Sequence, residues 1–412
     1  MKLTIPRKEL LTALAAVKPV ATNGTPTSRG SAILSHLLIV AREKSVSFTA
    51  SNLELHVRIS TDATIGKEGE ATCRASLLAD IIRMADGADV SLTLQNRNLH
   101  VECGSAKHEI ATLEPEEFPP FPTIAPSGQD FTLEDAAFRT MLAETAFACS
   151  TDEKRYVLNG VLVKLAAGQL HVAGCSGFML AVSSATLPEG PENFTCIVPS
   201  GTAKELLRLL SDDAEKPHRL TVTAGAGQIQ FAFGDITIVS KLIEGEYPGY
   251  ARIIPAEDVT ANLSRVELVR SIGRMALVAD QVQLAFTRNS LAITSVGKRG
   301  NEFIGQASDS LLIPSNHTVQ ATFSTKYILD ILNAIPDAAI ELHIKPTGAS
   351  LFKPPGRDWS AVLRPVDPPE AKKAKTKKVK PSLTEVPPAD NVEKTETTTG
   401  EAVAAEAVPA IA

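Results

Sequence analysis

Aromatic residues are scarce in this chain. Phenylalanine, tyrosine and tryptophan make up 5% of its 412 residues, and Trp359 is the one tryptophan. Its cores must therefore be built mainly from aliphatic side chains. Long apolar runs are lacking too. None approaches the ~20 residues of a membrane-spanning helix, so no membrane partner is expected. Met1-Lys2-Leu3-Thr4-Ile5-Pro6 has no apolar signal core, and the mature chain is expected to start near residue 1. Cys73, Cys103, Cys149, Cys175 and Cys196 are odd in number and show no C-x-x-C spacing. That pattern argues against a disulfide framework or a zinc site and for a reducing, cytoplasmic setting. An excess of positive charge is also missing. With 41 basic and 47 acidic residues the net charge is −6, which removes the simplest electrostatic argument for a nucleic-acid partner.

Catalytic constellations are absent as well. Gly174-Cys175-Ser176-Gly177-Phe178 approaches a G-x-S-x-G nucleophile elbow, but Phe178 stands at the last glycine and the following residues read as strand. A tight turn is the plainer reading, and a serine hydrolase around Ser176 is a remote alternative. Gly297-Lys298-Arg299-Gly300 lacks the Ser/Thr and the preceding glycine of a phosphate loop. Glu114, Glu116 and Glu117 fall in a repeated proline-rich string and read as a solvated linker rather than an acid/base pair. The eight histidines are dispersed, and no two have the i, i+4 spacing of a helical zinc site. No enzyme activity, metal or cofactor is expected.

What the chain does contain is repetition. Its composition is 44% hydrophobic and 21% charged, which is globular, and its length suits two to four domains. The apolar run Ile33–Ile39, followed by Val46–Asn52, recurs 124 positions later as Val157–Val163 followed by Leu170–Ser176. Each reads as a hairpin of short strands. Glu117–Ile124 recurs 129 positions later as Glu246–Ile253. Amphipathic stretches fall early in each copy (Arg7–Val20, Leu133–Cys149, Arg265–Ala279) and again late (Ala75–Met84, Gly201–Leu210, Ser324–Leu332). The third copy is the least similar in its strands. The reading is three similar α+β domains at 1–125, 126–254 and 255–368. A tail at 369–412 follows, with no aromatic residue and with lysine and acidic charges in balance, and it is expected to be disordered.

Two motifs carry a family resemblance. Asp152-Glu153-Lys154-Arg155-Tyr156-Val157-Leu158-Asn159-Gly160 resembles a signature of the bacterial DNA polymerase III beta-subunit family, the sliding clamps. Lys241-Leu242-Ile243-Glu244-Gly245-Glu246-Tyr247-Pro248-Gly249-Tyr250-Ala251-Arg252-Ile253-Ile254-Pro255 is similar to a second, and Ser31–Ile39 resembles a third. The resemblance covers residues 1 to about 367. It implies a non-catalytic processivity factor, a head-to-tail homodimeric ring of six DNA-clamp domains with helices inside and sheets outside. Partners would be double-stranded DNA, bound without sequence preference, and a replicative polymerase, the clamp loader and repair proteins bound through linear peptides. A clamp serving a specialised polymerase or an accessory replicon is the alternative.

The resemblance places Arg29, Arg155 and Tyr156 near positions that meet DNA, and Arg139, Lys204, Arg208, Arg270 and Lys326 on the inner helices that would face it. The basic helices would line the hole while acids outside make the total negative. A peptide groove would use Leu158, Cys175, Gly177, Phe178, Met179, Leu180, Pro248, Arg252, Ile253, Val362, Pro365 and Val366. The dimer contact would involve Leu277 and Val278 with His108, although Leu277 and Val278 also read as intradomain core. This chain departs from the family at Gly174–Ala181, where an Asp, a His and an Arg of the usual pattern are missing, so its groove should be more apolar.

Overall fold

The computed structural model describes residues 1–21, 32–124, 130–187, 190–211, 218–225, 227–256, 260–299, 302–313, 315 and 317–366. Among these residues six helices follow from one local pattern. They are α1 (Arg7–Val17), α2 (Ala75–Met84), α3 (Asp135–Ala143), α4 (Ser200–Leu209), α5 (Arg265–Ala276) and α6 (Thr325–Asn333). In α1 the buried residues include Leu10, Ala13, Leu14 and Val17; in α2 they are Ala75, Leu78, Ala79 and Ile82; in α5 they are Leu268, Ser271, Ile272 and Met275. Each set runs i, i+3, i+4, i+7, the stripe that faces a core from one side of a helix. Ser264 caps α5, its hydroxyl accepting from the Glu267 N–H at 3.4 Å.

Three expectations are corrected at element ends. The stretch Leu133–Cys149 is not one helix. Phe131–Glu134 is a strand paired with Arg219–Val222, α3 stops at Ala143, and Ala146–Ala148 forms a separate 3₁₀ turn. Thr145 closes α3 by donating its hydroxyl to the Met141 carbonyl at 2.7 Å. The run Ile33–Ile39 begins as a 3₁₀ turn, and its strand starts at His36. Likewise Val157 and Leu158 end a 3₁₀ segment, and the strand starts at Gly160.

The same antiparallel topology occurs three times. One four-strand unit has the order Leu55–Asp62, Ser45–Ser51, His36–Arg42, Gly69–Arg74 in the first copy. In the second copy that order is Met179–Thr186, Gln169–Cys175, Gly160–Ala166, Asn193–Pro199. In the third it is Glu302–Leu312, Ser290–Arg299, Gln281–Thr287, Val319–Ser324. A companion unit runs Lys2–Pro6, Asp89–Gln95, Asn98–Cys103, Ala106–Ala111 in the first copy and ends on Ile236–Lys241 in the second and Trp359–Leu363 in the third. Within each copy the two helices pack on one another, α1 on α2, α3 on α4 and α5 on α6. The first helical residue also ties down the second helix or the chain just after it. Arg7 Nε donates to Ile82 O at 2.8 Å, Arg265 Nη1 donates to Leu332 O at 3.0 Å, and the Asp135 carboxylate accepts from His218 N at 2.9 Å.

Strand pairing also joins the copies. Ile236–Lys241 pairs with Leu55–Asp62, placing Ile236 opposite Ile59 and Ser240 opposite Leu55. Trp359–Leu363 pairs with Met179–Thr186, placing Trp359 opposite Ser183 and Leu363 opposite Met179. Two eight-stranded sheets result, each crossing from one copy to the next. Their faces are covered by an aliphatic core in which Leu3, Ile5, Leu10, Leu14 and Leu37 are fully buried beside Phe48, Phe138 and Phe231. Among the described residues, two strands of the kinds that join copies are left with an open edge, Ala106–Ala111 and Glu302–Leu312.

Candidate functional site

The junction of the second and third copies holds a cavity of about 250 Å³. Its wall is the turn Gly177-Phe178-Met179-Leu180, with Ile253, Gly348, Ala349, Val362 and Arg364 completing the lining. Gly177 shapes that turn, because its φ of +86° suits glycine and a Cβ there would sit 2.2 Å from Arg155 Nη1. Arg155 Nη1 donates to Ser176 O at 3.1 Å, and its guanidinium lies 5.7 Å from the centre of the Phe178 ring. Phe178 stacks on Tyr327 of α6, with ring centres 6.4 Å apart and planes at 18°. The Phe178 carbonyl accepts from Arg364 N at 3.0 Å. Ser176 Oγ accepts from Met179 N at 3.3 Å, the role of a turn hydroxyl. Among the described residues no histidine is bonded to it, so nothing supports a nucleophile there.

Beneath this wall Leu158, Cys175, Leu180 and Val362 are buried together with Leu162, Ile197 and Leu351 in one apolar cluster. Burial pushes the Cys175 thiol up, against a weaker opposing hydrogen bond from Gly177 N. The same effect raises Tyr247 at the margin of the cluster. The structure thus brings Gly177, Phe178, Met179, Leu180, Ile253 and Val362 around one cavity and places Leu158 and Cys175 under it. Met179 lines the cavity but is only 4% exposed, packed into the adjoining core with Ala181, Trp359 and Leu363. Pro248 lines a neighbouring cavity of about 640 Å³ with Lys164, Ile243 and Tyr247. Arg252 is exposed on the turn Tyr250–Arg252, while Pro365 and Val366 are half-buried just past the last strand, with Val366 N bonded to Thr322 O at 2.8 Å. These last three do not line the smaller cavity.

The seam between the second and third copies also rests on a charge that sequence reasoning missed. Glu144 is 2% exposed and is held by Arg357, by Ser183 Oγ at 2.7 Å and, at its carbonyl, by Trp359 Nε1 at 3.0 Å. Arg357 also pairs with Asp337. Burial opposes the guanidinium charge, but the hydrogen bonds to Glu144 and Asp337 outweigh it and raise Arg357 above its ordinary value. No spacing links residues 144 and 357, although the lone tryptophan beside Arg357 was a usable marker.

The expected DNA-facing cations divide into two groups. Lys204, Arg270 and Lys326 are exposed on α4, α5 and α6, with Lys326 bonded to Asp330. Arg155 and Tyr156 are exposed on one turn. Arg139 is half-buried and its Nε donates to Leu207 O at 3.3 Å. Arg208 is engaged within the chain, donating to Ala15 O at 2.8 Å and Ala16 O at 2.6 Å. Arg29 and the tail 369–412 lie outside the described residues. Leu277, at the end of α5, is 86% exposed, which corrects the core reading for it. Val278 is half-buried, with its carbonyl where a Cβ on Gly297 would fall. His108 is exposed on the open edge strand Ala106–Ala111.

Residues 1–122 match the family model for the N-terminal domain of the DNA polymerase III beta subunit, and residues 132–249 match the model for its central domain. The chain belongs to this family, the beta sliding clamps. The beta sliding clamp of Rickettsia felis is 28% identical over 331 residues, 77% of this chain and 87% of the relative. That of Escherichia coli K12 is 28% identical over 344 residues, 81% of this chain and 90% of the relative. Among solved structures, the sliding clamp of Bartonella birtlesii bound to griselimycin shares 25% identity with a TM-score of 0.82, covering 89% of this chain and all of that one. The Pseudomonas aeruginosa clamp, at 24% identity and a TM-score of 0.81, shows the same fold. The beta sliding clamps are a family of non-catalytic processivity factors.

Proposed function

We propose that two copies of this chain form a head-to-tail ring that encircles duplex DNA and tethers a replicative polymerase through the groove. The domains would be 1–125, 126–254 and 255–368, six to a ring, with helices facing the hole and sheets outside. The polymerase, the clamp loader and repair proteins would dock short Leu/Phe-bearing peptides in the cavity lined by Phe178, Met179 and Ile253. The exposed Lys204, Arg270 and Lys326 would supply a weak, sequence-neutral attraction to phosphates. With such a lining the −6 total is no obstacle, since it describes the whole surface rather than the hole.

The observation that carries this reading is the pair of open edges. At both internal junctions the third strand of one copy's first unit pairs with the last strand of the next copy, in the same register. Ile59 and Ser183 lie at matching places in their hairpins and face Ile236 and Trp359, the first residues of the joining strands. The two strands without such a partner are of those same two kinds, Glu302–Leu312 and Ala106–Ala111. Extending the register sets Ala106 opposite Asp309, Lys107 opposite Ser308 and His108 opposite Ala307 of a second copy. Such a contact is heterologous and closes after two chains if the curvature is that of a ring.

Cysteines at His108 and Ala307 test the register, because facing strand residues have Cα atoms about 4.5–5.5 Å apart, within disulfide reach. Mild oxidation of the double variant should give covalently closed dimers. Closed dimers loaded on nicked circular DNA should stay bound in high salt and be lost on linearisation. A strictly monomeric wild type, or retention that ignores linearisation, contradicts the ring.

A further inference from the structure

The internal repeat duplicates a side-chain device in one place where its target is present and in another where it is not. Within α4, Arg208 lies eight residues after the first helical residue, Ser200, and pairs with Glu205 at 2.7 Å. Within α2, Arg83 lies eight residues after Ala75 and pairs with Asp80 at 3.1 Å. Glu205 and Asp80 are themselves equivalent, each five residues into its helix. Arg208 uses its fork across a domain junction, donating to the carbonyls of Ala15 and Ala16. Those carbonyls belong to the last turn of α1, which carries no basic residue of its own. The arrangement satisfies two orphan acceptors and places a cation at the negative end of the helix dipole.

Among the described residues Arg83 makes no such contact with a helix end. Its side chain is 63% exposed, against 34% for Arg208, and Asp80 is its only side-chain partner among the described residues. The helix equivalent to α1 at a ring closure is α5. Both α1 and α5 follow the first strand of their companion unit, and both begin with an arginine that ties down the next helix. α5 ends at the exposed Leu277, close to the open strand edge through the bond between its Arg274 and Asp309. The device is not a general property of the late helix, because α6 has Asn333 at this position. At that junction Glu144 is gripped by Arg357 and Trp359 instead.

We propose that Arg83, steadied by Asp80, clasps the last-turn carbonyls of α5 in a second copy of this chain. The inference rests on the ring reading and names a contact within it. The closing junction then resembles the junction of domains 1 and 2, with a sheet pairing on one side and an arginine on a helix end on the other. Without the clasp, strand pairing and the Leu277 contact would hold the ring alone.

Subunit exchange tests this, with two fluorescently labelled populations of the full chain mixed and energy transfer followed in time. Sedimentation equilibrium on the same samples gives the dimer Kd. Two charge-assisted hydrogen bonds lost from an interface correspond to about tenfold or more in Kd. Arg83→Ala should therefore exchange at least about tenfold faster. Arg83→Lys, which keeps the charge but not the fork, should fall between it and the wild type. Arg208→Ala, whose contact lies inside one chain, should lower thermal stability and leave exchange unchanged. A dimeric wild type whose exchange and Kd are unaltered by Arg83→Ala overturns the clasp while leaving the ring intact. A monomeric wild type overturns both.

Discussion

The seam between the second and third domains should fail when Arg357 is replaced by alanine. Glu144 is 2% exposed, and the substitution removes its only cationic partner among the described residues while Ser183 still donates to it. Stripping one partner from a buried ion pair costs about 3–5 kcal/mol. Arg357 itself is 31% exposed, so water can enter the space it leaves, which places the expected loss near the lower limit, about 3 kcal/mol. Removing both charges is a different perturbation, because the buried Glu144 charge is then gone and only the more exposed Asp337 loses its partner. Arg357→Met combined with Glu144→Gln should lie within about 1 kcal/mol of the wild type. Trp359 is 1% exposed, bonds to Glu144 and is the only tryptophan, so its fluorescence reports this seam directly during urea unfolding. The midpoint should fall for the single variant with an unchanged slope. A loss below about 1 kcal/mol for Arg357→Ala, or a double variant as costly as its singles combined, would refute the reasoning.

Two further outcomes follow from the exposed and titrating groups. Phe178 is 53% exposed, which for a phenylalanine leaves roughly 100 Å² in water. If a docked peptide covers half of it, truncation to alanine removes about 1.3 kcal/mol, close to tenfold in Kd. Ile253→Asp should weaken binding further, and fluorescence anisotropy with a Leu/Phe-bearing peptide measures both. Unchanged affinity in the folded variants would remove the groove assignment. Met179→Asp is a poor probe, since it buries a charge in the core. Separately, burial and then Arg74 lower His36 from 6.5 to about 4. Between those values the unfolded chain takes up a proton that the folded chain does not, so stability is full above pH 6.5 and declines as pH falls toward 4. Thermal melts across that window should show His36→Gln declining less steeply than the wild type, and parallel curves would contradict the assignment.

Helix placement was readable because its signal is local. The stripes Leu10-Ala13-Leu14-Val17 and Ala75-Leu78-Ala79-Ile82 need only a period of 3.6, and the ends of α2 coincide with the expected stretch. The break after Ala143 was not readable, because an apolar Ala-Phe-Ala-Cys continues the pattern, whereas in the fold Thr145 N turns to Leu142 O and its hydroxyl to Met141 O. The groove was half legible. Its wall, Gly177 to Leu180, is a contiguous motif, whereas Gly348, Ala349 and Arg364 reach the cavity from a loop and a strand end of the third domain.

By itself, then, the sequence determined the threefold repeat, the family and the positions of the helices, since motif and periodicity are properties of neighbours along the chain. The tertiary structure alone decided which strand edges stay open, which cations face solvent and which are engaged with carbonyls. Arg208 and Arg83 look alike in the sequence, each following an acid by three residues. What separates them is whether another helix ends within reach, and that depends on residues nearly two hundred positions away.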